Sequence, residues 1–176
     1  MLLPLLLPRV RRFSVLLWPV LPLAMLTASA PPARPPHLLQ LRLNGVPVKA
    51  DTTYSRIEVS TGAGKVLTLA IARADAPDEQ GLTILVDEFK PTPGIYRFKE
   101  ILSGHVREAG YRVGDMSAES MACGVNEGEV RVTNVDAAQH LLTGTFRVVL
   151  CQTNVARSAA KRLVFEGVFH YPYEVR

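Results

Sequence analysis

From residue 38 onward, apolar and polar positions alternate along most of the chain. Leu39, Leu41 and Leu43 are separated by Gln40 and Arg42, a period of two that sends successive side chains to opposite faces of a strand. Asn44-Gly45 follows. Both residues tolerate positive φ, so the pair predicts a two-residue hairpin turn into Val46 and Val48. Ile57 and Val59 flank Glu58, and the Gly62-Ala63-Gly64 turn leads to Leu67, Leu69 and Ile71. Leu82, Ile84 and Val86 form another run, ended by Pro91-Thr92-Pro93-Gly94. Tyr96 with Phe98, then Tyr111 with Val113, predict two more strands.

The last fifty or so residues carry the clearest alternation. Val130 and Val132 predict one strand; Leu142, Gly144, Phe146, Val148 and Leu150 a long second; Leu163, Phe165 and Phe169 a third, with Gly167 marking a bulge. No stretch of a dozen residues keeps a helical stripe with caps. Only Ser117–Cys123 suggests a helical turn. Short strands divided by Gly, Pro and Asn turns predict an all-β fold, an antiparallel β-sandwich or partly open barrel of about 8–9 strands.

Patterning also sets the domain limits. Residues 1–30 hold Arg9, Arg11 and Arg12, then an uncharged apolar run ending in Ala28, Ser29 and Ala30. A basic start, an apolar centre and small residues at the end describe an export signal, with a retained anchor as the alternative. Residues 31–37 form a Pro-rich spacer, and residues 38–176 a single β domain. The 176-residue chain is 48% hydrophobic and carries a net charge of +4. Losing Arg9, Arg11 and Arg12 lowers that charge to +1. Nucleic-acid binding thereby loses its electrostatic ground. The expected location is exported: periplasm, cell envelope or extracellular space.

Catalytic patterns are sparse. Val59 to Val66 resembles a phosphate loop, but Val59 and Val66 stand where Gly and Ser/Thr are required, so a hairpin turn is expected. His37, His105, His140 and His170 lack metal-ligand spacing, and only His105 with Glu108 lies close in sequence. Asp75, Asp78 and Glu79 share a loop and Asp87-Glu88 ends a strand; solvated turns are expected, with weak calcium binding the lesser reading. A glycosidase needs two carboxylates facing each other across a cleft, which adjacent acids in one turn do not supply. No catalytic residue, metal or cofactor is expected. Tyr96, Phe98, Tyr111, Tyr171 and Tyr173 could form a ligand surface, but most sit at alternating strand positions, so core packing is the better reading, with Tyr171 and Tyr173 the two expected to be exposed.

The two cysteines form a consistent pair. A hairpin centred on Ala137 sets Val132 opposite Leu142, Val130 opposite Gly144, and Cys123 opposite Cys151. Directly opposed residues are close enough for a disulfide, which export into an oxidising compartment would favour. Parity places the bond on the outer face.

The run from Gly128 to Asp136, then Leu142 to Phe146 and Phe165 to Phe169, resembles the C-terminal half of a bacterial envelope family of unknown function, small exported lipoproteins of Bacteroidetes-type bacteria. Asn44-Gly45-Val46-Pro47 and Gly94-Ile95-Tyr96 resemble the family's opening and central turns. The resemblance implies an exported β protein and carries over no catalytic residue. No cysteine stands at the signal junction, so lipid attachment is not expected. The expected function is a non-catalytic envelope protein or interaction module; the alternative is a barrel-like binder of a small apolar or sugar ligand, and a hydrolase comes last. Expected partners are an envelope component or a small ligand, with membrane contact only through an uncleaved N-terminal segment.

Overall fold

A computed structural model describes residues 37–62, 64–76, 80–99, 105–155 and 160–176. Residues 1–30, where an export signal is expected, and most of the expected Pro-rich spacer lie outside them. Eleven strands run in chain order: β1 (Leu38–Leu43), β2 (Val46–Val48), β3 (Ala50–Val59), β4 (Leu67–Arg73), β5 (Gly81–Val86), β6 (Gly94–Arg97), β7 (Arg107–Val113), β8 (Met116–Glu119), β9 (Gly128–Asp136), β10 (Leu141–Gln152) and β11 (Arg162–Val175). A 3₁₀ turn, Met121–Cys123, follows β8. The fold is all-β, as the alternation predicts, but with eleven strands in one sheet rather than 8–9. Of the three short strands, β2 and β6 have counterparts in the alternation at Val46/Val48 and Tyr96, and only β8 has none. Met116-Ser117-Ala118-Glu119 takes three of the seven residues of the expected helical turn, Ser117–Cys123, and the 3₁₀ turn takes the last three.

The sheet order is β2-β1-β11-β3-β4-β5-β7-β8-β10-β9-β6, and β10 also pairs with β11. Two long strands make this possible. β11 pairs with β10 along Arg162 to Pro172 on one edge; its other edge takes β1 and then, in parallel, β3. β10 likewise pairs with β9 and then, at Cys151 and Gln152, with β8. The pairings from β3 through β8 therefore return to their start through β10 and β11.

Local chemistry explains the turns and irregularities. Asn44 (φ 52°) and Gly45 (φ 81°) make the predicted hairpin turn between β1 and β2, and Asn44 Oδ1 accepts the Val164 N–H at 2.9 Å. The β3–β4 register shifts between Asp51 and Arg56. There the buried Ser55 hydroxyl donates to the Asp51 carbonyl at 2.6 Å and accepts the Ala72 N–H at 3.0 Å. Gly167 marks no bulge, because β10 and β11 stay in register throughout; the irregularity falls between Thr143 and Gly144, against β9.

Inward positions form one core, including Leu41, Leu67, Ile84, Val130, Val148, Phe165 and Phe169. Gly144 faces Phe169 and Gly167 faces Phe146 across the β10–β11 ladder. A Cβ at either glycine would overlap the facing ring, and one at Gly128 would overlap Phe98. The rings thus take the volume that the glycines leave empty.

Candidate functional site

The five aromatics of the candidate ligand surface are core residues: Tyr96, Phe98, Tyr111, Tyr171 and Tyr173 are between 1% and 9% exposed. Alternation places them on strands; Tyr96, Tyr111, Tyr171 and Tyr173 sit at inward strand positions, and Phe98 is one residue beyond β6. Tyr171 and Tyr173 are buried despite their place near the end of the chain, since β11 continues to Val175. Their polar ends find protein partners. Tyr96 donates to the Lys90 carbonyl at 2.8 Å, and Tyr171 to the Thr52 carbonyl at 2.7 Å. Tyr111 accepts from Arg73, while the Tyr173 ring packs at 5.3 Å from that of His140. Burial raises the Tyr96 and Tyr171 hydroxyls above the usual phenol range.

A polar cluster forms where β5 and β7 part. Val86 pairs with Arg107, and the ladder runs one step further through Asp87 N–H to the Val106 carbonyl at 3.0 Å. That step brings His105 beside Asp87 and Glu88. Its Nδ1 lies 2.9 Å from Asp87 Oδ2, and its Nε2 lies 3.5 Å from Glu88 Oε1. Arg107 reaches Glu88 at 3.6 Å and donates to the Arg97 carbonyl at 3.0 Å. Glu88 has a φ of 56°, left-handed for a non-glycine residue. The His105 hydrogen bond, followed by the Glu88 N–H, holds the Asp87 carboxyl below the usual carboxylate range. His105 therefore partners Asp87 and Glu88, and not Glu108. A continued strand register was the available signal, but the alternation ends at Val86 and gave no reason to extend it. Both ring nitrogens face acids, so the cluster ties the start of the 87–105 excursion, which carries β6, to its end.

Among the described residues, no three His, Cys, Asp or Glu side chains form a metal-holding group. Of the acidic loop, Asp75 is ion-paired with Arg73, and Asp78 and Glu79 lie outside the described residues. Ser60 to Val66 closes as the expected turn, with Ser60 N–H donating to the Val66 carbonyl at 2.9 Å.

Cys123 and Cys151 form a disulfide with Cα atoms 5.0 Å apart. The pairing is the expected one, both residues are half-buried and Cys151 stands at an outward position of β10, but the route differs. Leu142 faces Val135, and Gly144 faces Val132, a register two to three residues away from one centred on Ala137. Asp136 Oδ1 accepts N–H groups from both Ala138 and Gln139, and His140 has a φ of 52°. That four-residue turn plus the irregularity at Gly144 moves the ladder. Cys123 consequently lies not on β9 but in the 3₁₀ turn after β8, while Cys151 faces Glu119 of β8.

Outward positions on β6, β9, β10, β11 and β1 carry a row of alternating charge: Arg97, Glu129, Arg147, Glu166 and Arg42, each opposite the next. Arg97 approaches Glu129 at 3.3 Å, and Arg147 approaches Glu166 at 3.2 Å. Opposed charges on neighbouring strands favour this register over a slipped one. Comparison with protein-family models, with curated proteins and with solved structures found no match to the chain.

Proposed function

We propose that the protein is an exported, non-catalytic envelope or interaction module, folded as an antiparallel sandwich or partly open barrel. The observation that carries this reading is the filled interior. The aromatics that would line a ligand cup instead pack against one another and against glycine backbone, as Tyr111 does on Phe165 at 4.7 Å between ring centres. Their rings are buried in core contacts rather than presented to a ligand, so the working surface is read as the outside. Export is supported by the disulfide, a bond that persists in oxidising compartments, and by the basic and apolar pattern of residues 1–30. The resemblance to small envelope lipoproteins agrees with the same location. The partner is accordingly an envelope component met on the surface. Fractionation of the native cell by osmotic shock and envelope sedimentation tests the reading. Recovery in the shock fluid, envelope or medium is expected, and recovery in the soluble cytosol contradicts it.

A further inference from the structure

We propose that the outer face of β5, β7 and β8 is a docking furrow for an extended peptide segment of a partner protein, with Gly110 as its floor. The proposal rests on the interaction-module reading and deepens it. Two adjoining depressions of about 480 and 300 Å³ share Thr83, Gly110 and Glu119, and together run along β7 from Arg112 to Glu108. At about 3.4 Å per residue that stretch is roughly 14 Å long, the span of four or five extended residues.

Gly110 has no structural reason to be glycine. It pairs with Thr83 and Glu119 in unbroken register, and its φ is not positive. A Cβ there would meet nothing within 4 Å, whereas Gly128, Gly144 and Gly167 each yield space to a phenylalanine ring. A glycine inside a strand weakens it and marks a place where another chain comes close to the backbone.

Charge identifies the occupant. Glu108 and Glu119 border the floor, and among the described residues neither side chain has an ion pair or hydrogen bond. The other strand glutamates, Glu58, Glu129, Glu166 and Glu174, lie 3.0 to 3.8 Å from arginines. Arg112, likewise without a side-chain partner among the described residues, borders the opposite end. The furrow is thus negative from its Glu108 end to its middle at Glu119 and positive at the Arg112 end. It fits a segment that sets a Lys or Arg against Glu108 and Glu119 and an acidic group against Arg112. Its one aromatic, Tyr111, is buried with its hydroxyl engaged by Arg73, so no ring is offered for stacking on a sugar.

Fluorescence anisotropy with the folded protein and a labelled Lys-Val-Thr-Val-Asp peptide tests the proposal. Wild type is expected to bind this peptide and to prefer it to one in which Glu replaces Lys and Lys replaces Asp. The double variant Glu108→Gln/Glu119→Gln is expected to bind about tenfold more weakly or worse. Gly110→Val is expected to abolish binding with an unchanged or raised thermal midpoint, since valine suits a strand. The two glutamines lie on the surface and keep the test open if valine disturbs folding. Absence of wild-type binding, equal binding of both peptides, binding that survives Gly110→Val, or displacement by a neutral glucan oligosaccharide would overturn the furrow. Location is read separately: a cytosolic protein that binds the peptide fails the export reading and keeps this one, and an exported protein that ignores it does the reverse.

Discussion

Phe146, Phe169 and Phe98 occupy the space that side chains would take at Gly167, Gly144 and Gly128. This arrangement makes the glycines part of the core without contributing any side chain to it. Gly144→Ala is expected to destabilise by about 1–3 kcal/mol, the cost of overpacking against the Arg131 carbonyl and the Phe169 ring, read as a lower urea midpoint; an unchanged midpoint would show that both give way freely. Ser120 is fully buried, and its hydroxyl accepts the Ala109 N–H at 2.9 Å. Ser120→Ala leaves that N–H without its partner and is expected to cost about 1–3 kcal/mol by the same assay. Asp87 gives a pH signature. Its carboxyl titrates below the ordinary range because of His105, so its contribution is complete above the unfolded value of about 3.9 and is lost as pH falls through the lower folded value. Asp87→Asn is expected to flatten the acid limb of the stability profile, which urea midpoints across that range measure. At this scale the hairpin at Asn44-Gly45 was legible because its chemistry is local. The burial of Tyr171 and Tyr173 was not, because it depends on β11 running on to meet β3 near the end of the chain.

Among the strands, β10 and β11 hold the sheet together, and the shortest seams lie where it closes. β11 meets β3 over three residue pairs, from Tyr173 to Val175, and β10 meets β8 over two, at Cys151 and Gln152. The disulfide lies at the second of these. Cys123→Ser/Cys151→Ser is expected to lose about 3–4 kcal/mol on the chain-entropy account, given a separation of 28 residues. Hydrogen exchange is expected to rise first at Ala118, Glu119 and Gln152; uniform acceleration across the sheet would argue against a local seam. The two ends of the sheet order are blunted. Pro47 stands in the middle of β2 and has no N–H to offer. On β6, the Arg97 carbonyl is occupied by Arg107. Strand positions were mostly legible from a period of two, since a half-buried face imposes it. Strand partners were less so: the Cys123–Cys151 pair was reached from a hairpin register that the Asp136–His140 turn does not adopt.

For the whole molecule, the separation of an inner and an outer surface matters most. The inner one is closed by aromatic packing, and the outer one carries both the row of alternating charge from Arg97 to Arg42, ion-paired at Arg97–Glu129 and Arg147–Glu166, and the open furrow over Gly110. Composition averages over these faces: a net charge of +1 beyond the export signal conceals a paired face and an unpaired one. All-β architecture was therefore readable from the chain, whereas the candidate surface was not, because outward residues distant in sequence become neighbours only once the strands are ordered. Export remains the claim on which the account depends, and an intact-mass measurement without reduction, on protein recovered from its native cell, tests it most directly. The account predicts a chain shortened by the export signal, with Cys123 and Cys151 joined and two hydrogens lighter than the dithiol. An intact chain beginning at Met1 with two free thiols would contradict it.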